Sequence, residues 1–148
     1  MIKIIAIWAA AAVLCGTLAA ADSDAEIARQ LLALERKAMD GWTTGNPDGD
    51  LAISDATITY IHPAAGKRLD GLPALKELFE RFRGTPLFDS YEIVEPKVQV
   101  GGDMAVLTSC FEFRNGATLR RYYATLVFQH RKEGWRIVHA HWSKAENQ

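Results

Sequence analysis

The segment GWRIVHAHWS, Gly134–Ser143, alternates closely enough to read as a β-strand, and it sets two histidines, His139 and His141, one residue apart. Working outward from it, three short breaks recur at hairpin spacing: Lys132-Glu133-Gly134, Asn115-Gly116 and Gly101-Gly102-Asp103. They bound strands expected at about 90–100, 104–113, 117–131 and 135–143, a four-strand antiparallel meander. The first half of the chain has a different period. Ile27, Leu31, Leu34, Ala38 and Trp42 recur every three or four residues and predict a helix over 24–44. The β-branched and aromatic run ATITYIH, 56–62, predicts a strand stopped by Pro63. A second helix is expected after Gly71, with Pro73 in its first turn and an apolar stripe of Leu72, Leu75, Leu78, Phe79 and Phe82. The intervening TGNPDGD, 44–50, reads as a solvated turn, since its acidic residues lack the spacing of a calcium-binding loop. Helices gathered ahead of a meander define an α+β domain.

Composition supports one such domain. The 148 residues are 49% hydrophobic and 24% charged, with a formal net charge of -1, and no basic stripe marks a nucleic-acid partner. The leader MIKIIAIWAAAAVLCGTLAAA, 1–21, carries Lys3, then an apolar run, then small residues. It reads as a signal peptide, giving a mature domain of 22–148 that is periplasmic or secreted and not membrane-embedded. Of the two cysteines, only Cys110 would survive processing, so no intrachain disulfide is expected. No phosphate loop, dinucleotide fingerprint or zinc-type Cys/His spacing occurs, so no cofactor and no metal are assigned.

The long first helix, the strand ending in His62-Pro63, the segment DGLPALKELFERF at 70–82 and the closing GWRIVHAHWS together resemble the NTF2-like superfamily. Within it, the resemblance is to SnoaL-like proteins and to the association domain of calcium/calmodulin-dependent protein kinase II. It implies a cone in which N-terminal helices pack in a strongly curved antiparallel sheet, commonly as a homodimer or larger homo-oligomer. Because that fold hosts isomerases, dehydratases and binding modules, the resemblance names no single activity.

Strand parity divides the meander into two faces. Aligned with the kinase domain, the cavity face is expected to carry Cys110, Glu112, Arg120, Tyr122, Leu126 and Trp142. Cys110, Leu126 and Trp142 then stand where the kinase domain has arginines, which implies an apolar pocket. Trp42, Tyr60, Phe79 and Phe82 are expected in its wall, with His62, Cys110, Arg120 and Trp142 also touching ligand. A carboxylate facing such a cavity suits acid/base work near neutral pH, so Glu112, with Tyr122 as hydrogen-bond donor, is the catalytic candidate. His139 and His141 are alternatives for that role. They share a strand face with Trp135 and Ile137 by simple alternation, and His62 is the one plausible third ligand were they to hold a metal. The structural alternative has them hydrogen-bonded to Thr125, Ser109 or Tyr123, or at a subunit interface. Three readings remain: an exported small-molecule binding domain, a cofactor-free isomerase or dehydratase of ketosteroid-isomerase type, and an oligomerisation module.

Overall fold

The structure, a computed structural model, describes residues 22–145. The expected signal peptide, 1–21, lies outside the described residues. Helix α1 spans Asp24–Trp42 and is capped by Ser23, whose hydroxyl accepts from the Glu26 amide at 3.2 Å. Its buried residues are Ile27, Leu31, Ala38, Met39 and Trp42, and among them Glu35.

The turn after α1 closes tightly, since a Cβ on Gly41 would stand 2.4 Å from the Asn46 carbonyl oxygen. The segment read as a solvated turn then forms a short helix, α2, Asp48–Ile53. At Gly49 the two helices approach backbone to backbone: a Cβ there would lie 3.1 Å from the Lys37 carbonyl oxygen and 3.2 Å from the Ala38 Cα. This close approach turns Asp50 inward beneath α1.

Strand β1 follows, Ser54–Ile61, then a 3-10 turn at Pro63–Ala65, a two-residue strand β2, Leu69–Asp70, and helix α3, Leu72–Glu80. The meander comprises β3, Ser90–Gly101; β4, Met104–Asn115; β5, Thr118–Arg131; and β6, Gly134–Lys144. The six strands form one curved, open sheet in the order β2-β1-β6-β5-β4-β3. Among the described residues, only the β1–β6 pairing is parallel. The fold is therefore the expected α+β cone of NTF2-like type, with α2 and β2 in addition.

Register decides what each strand shows the helices. Directly opposed residues on antiparallel strands share a face, so the pairing of Phe111 with Tyr122 places both inside. Phe111 and Phe113 on β4, and Ala124, Leu126 and Phe128 on β5, are buried on that face, each large side chain contributing about 1.5–3 kcal/mol of burial. On β6 the simple alternation breaks. Phe128 pairs with Ile137 while Val127 pairs with His139, which leaves Val138 as a bulge. Trp135 and Ile137 before it, and Ala140 and Trp142 after it, are all buried. His139 and His141 consequently lie on the outer face, opposite to Trp135 and Ile137 and not beside them.

Candidate functional site

Between the helices and the inner sheet face lies a cavity of about 230 Å³. Helix α1 contributes Met39 and Trp42, while α3 and its following turn contribute Leu78, Phe79 and Phe82. Leu87 and Phe88 close one side, the sheet supplies Tyr60, Phe113, Arg120, Tyr122 and Trp142, and His62 enters from the turn just after β1. The aromatic rings fix one another. Trp42 meets Phe79 edge-on at 5.0 Å between ring centroids, and His62 stacks on Tyr122 at 5.5 Å.

Of the residues expected in this pocket, Trp42, Tyr60, His62, Phe79, Phe82, Arg120, Tyr122 and Trp142 line it. Arg120 is exposed and stands at the mouth, its guanidinium donating to the Leu87 carbonyl at 2.7 Å and to Asn115 Oδ1 at 2.8 Å. Leu126 is on the inner face but borders a smaller void, and two expected residues are on the other face. Glu112 pairs with Arg121, and Cys110 with Tyr123, so both face outward. Arg121 Nε donates to Glu112 Oε1 at 2.7 Å, and Arg114 lies 3.5 Å from its other oxygen. The expectation that Glu112 faces the cavity is corrected by this register: β4 is offset by one residue from the alignment that put Glu112 beside Tyr122. Cys110 has its thiol pushed up by burial and by the nearby Glu112 charge, against what a reactive cysteine needs.

The histidines separate for the same reason. His139 Nδ1 lies 2.6 Å from Thr59 Oγ1, so its partner is on β1 and not at Thr125, Ser109 or Tyr123. His141 is exposed on the outer face. Because His62 points into the cavity while those two point out, the three imidazoles cannot converge on one ion. Among the described residues no three His, Cys, Asp or Glu side chains group as a metal site.

Two carboxylates that the sequence reading passed over occupy the floor. Asp50, on α2, borders the cavity and accepts from Trp42 Nε1 at 3.1 Å. It keeps some accessible surface because the cavity opens onto it, but apolar groups surround it, and burial raises its carboxyl from an ordinary 3.8 to about 6 against the opposing pull of that hydrogen bond. Glu35 lies behind it, 1% exposed, and among the described residues neither carboxyl oxygen has a hydrogen-bond partner. Burial, and then the Asp50 charge, push Glu35 well above the usual carboxylate range. Tyr60 stands beside both, its phenol held protonated by burial and then by the nearby Asp50 charge.

A signal for Glu35 exists in the sequence, since it falls on the progression Ile27, Leu31, Glu35, Ala38, Trp42 of the buried stripe. Asp50 had none, because a six-residue helix is too short to display a face.

His62 completes the polar set. Its Nδ1 accepts from the Ala64 amide at 3.0 Å, which leaves the proton on Nε2, and burial lowers its basicity. The cavity thus combines aromatic walls, one carboxylate of raised pKa and neutral hydrogen-bond donors on Tyr60 and His62. Such a combination can bind a small apolar molecule and move a proton on it.

Several solved structures share this architecture. A candidate ketosteroid isomerase from Parabacteroides distasonis superposes with a TM-score of 0.73 at 24% identity, covering 81% of this chain and 89% of its own. The CaMKII hub of S. rosetta gives 0.64 at 28% identity, with 79% and 95% covered. An NTF2-like superfamily protein from Salmonella enterica gives 0.67 at 18% identity, with 85% and 96% covered. No curated protein matches the chain. The model of the SnoaL-like domain matches residues 36–146, a span running from the second half of α1 past the end of β6 and taking in Asp50 and every sheet residue of the cavity. This chain belongs to the SnoaL-like domain family, and its fold is NTF2-like.

Proposed function

We propose that this chain is a cofactor-free proton-transfer enzyme of the isomerase or dehydratase type, acting on a small, mostly apolar carbonyl compound held in the cone cavity. The observation that carries the reading is Asp50: a carboxylate on the cavity floor, raised to about 6, with Trp42 and no cation as its hydrogen-bond partner. A base of that strength is ionised at neutral pH yet close enough to it to return the proton. Asp50 would take a proton from the carbon next to the carbonyl and give it back at a second position. Tyr60 and the Nε2–H of His62 would donate to the oxygen as it gains charge, with Tyr122 alongside. Trp42, Phe79, Phe82 and Trp142 would hold the hydrocarbon and exclude water. The likeness to a candidate ketosteroid isomerase and to a candidate dehydratase from Streptomyces avermitilis supports the same class.

Residues 1–21 place the mature chain outside the cytoplasm in this reading, either periplasmic or secreted. The outer sheet face, with half-buried Thr108, Thr125 and Val127 around the exposed Tyr123, suits a homodimer contact, and the CaMKII hub likeness points the same way.

The test is solvent exchange. Residues 22–148 are incubated in D₂O with a panel of small cyclic ketones and enones, and deuterium incorporation is followed by NMR. Wild type is expected to exchange the α-hydrogens of at least one class, and D50N to lose about 10²–10⁴-fold of that rate. Ligand-induced shifts of the Trp42 and Trp142 indole signals without any exchange would overturn the catalytic reading in favour of a binding domain.

A further inference from the structure

We infer that Glu35 is a positioning residue that holds a permanent proton beside Asp50, so that the two carboxyls act as one pair carrying a single negative charge. The inference deepens the reading of Asp50 as the base and rests on it for its functional meaning.

The geometry singles out the pair. Glu35 and Asp50 border one internal void of about 10 Å³, shared with Ser54, Tyr60 and apolar residues of α3 and the inner sheet. That volume is the size of a single water molecule, and four polar side chains around it are the number such a water bonds. Glu35 enters from α1, Asp50 from α2, and Ser54 and Tyr60 from β1. From α3 and the inner strands the void meets Leu75, Leu126, Ile137, Ala140 and Trp142, none of them charged. No Lys, Arg or His borders it, so nothing there offsets a second negative charge.

Two carboxylates in one apolar pocket cannot both ionise cheaply, and the surroundings decide which of them carries the charge. Asp50 accepts a hydrogen bond from Trp42 and borders the cavity, where charge is partly solvated. Glu35 has neither advantage. The proton therefore stays on Glu35 and the charge on Asp50, and the order of ionisation follows: Asp50 first, Glu35 only at higher pH. The burial-driven rise at both sites, with the Asp50 charge adding to the rise at Glu35, agrees with that order. A protonated Glu35 carries an O–H, which can donate to a water in the void that in turn donates to Asp50 and holds its carboxylate in one orientation. Its loss would add a second buried charge and turn the base away from its working range.

Carboxyl ¹³C NMR of the mature chain, labelled at Asp and Glu, tests this without any substrate. At pH 7 the Glu35 signal is expected to be that of a protonated acid while Asp50 is ionised. In D50N the Glu35 midpoint should move to lower pH, because the neighbouring charge is gone. In W42F the Asp50 midpoint should move up, since the indole that donates directly to it is removed. In E35Q, whose amide still donates, Asp50 should titrate close to its wild-type midpoint and in a single step, whereas in E35L it should shift. An ionised Glu35 at pH 7, or a Glu35 midpoint indifferent to D50N, would overturn the inference. The W42F and E35Q measurements keep it open to refutation if D50N fails to fold. Loss of deuterium exchange in D50N with Glu35 ionised would leave Asp50 as the base and remove only the shared proton. A protonated Glu35 without any exchange activity would do the reverse.

Discussion

Asp50 and Asp55 stand five residues apart at the two ends of the α2–β1 junction, and their acidities move in opposite directions. Asp55 accepts from Arg131 Nε at 2.9 Å and from the Thr57 amide and hydroxyl, and these bonds lower its carboxyl to about 2. Asp50 meets an indole N–H and apolar side chains, and burial raises it to about 6. The same residue type thus becomes a fixed anion on the outer side of β1 and a carboxyl of raised pKa on the inner side. What differs is which groups reach each carboxyl: Arg131 and Thr57 bond Asp55, whereas an indole N–H bonds Asp50. On the outer face Glu112 likewise pairs with arginines, Arg121 and Arg114, whereas Glu35 shares the apolar inner side with Asp50.

The largest expected consequence lies in stability. A carboxyl whose folded pKa exceeds its unfolded value keeps its proton longer when folded, so stability is lost as pH rises from about 4 to about 6 and stays lost above that. D50N removes the penalty. Urea unfolding should find it more stable than wild type at pH 8 by about 3 kcal/mol and little different at pH 4. A wild-type curve flat across that interval would erase the contrast.

Asp55 should behave in mirror image. Its lowered pKa contributes stability above about pH 4 that disappears as pH falls through about 2. Because Arg131 opens onto solvent, with 37% of its side chain exposed, R131M should cost only about 1 kcal/mol at pH 7 and nothing near pH 2.

The smallest effect is expected at Glu112. E112Q should leave deuterium exchange and its pH dependence unchanged, and should cost at most about 1 kcal/mol of stability. A large loss of exchange in that variant would mean that the outer face carries chemistry and would break the comparison outright.

Much of the architecture was legible before any coordinates. The hairpin signals at Asn115-Gly116 and Gly101-Gly102-Asp103 act through local backbone geometry, and they mark the joints between β3, β4 and β5 within a residue or two. The aromatic stripe of α3 and the Trp42 end of α1 were readable because a 3.6-residue period makes a buried face visible over several turns. The faces of β4 and β6 were not. Alternation sets the two faces of a strand but does not say which is inner, and a single bulge at Val138 exchanges them midway along β6.

The sequence by itself therefore determined the order of the two longer helices and the five longer strands, the hairpins, the α+β class and the aromatic character of the pocket, all of which follow from local conformational preference and periodicity. Tertiary structure alone decided that Asp50, from a stretch that reads as solvated turn, lies on the cavity floor beside Glu35, while Glu112 and the paired histidines face out. The reason is physical. Acidity and accessibility belong to the groups that surround a side chain, and here those groups come from α1, α2, β1 and β6, segments as much as a hundred residues apart that only the folded chain brings together.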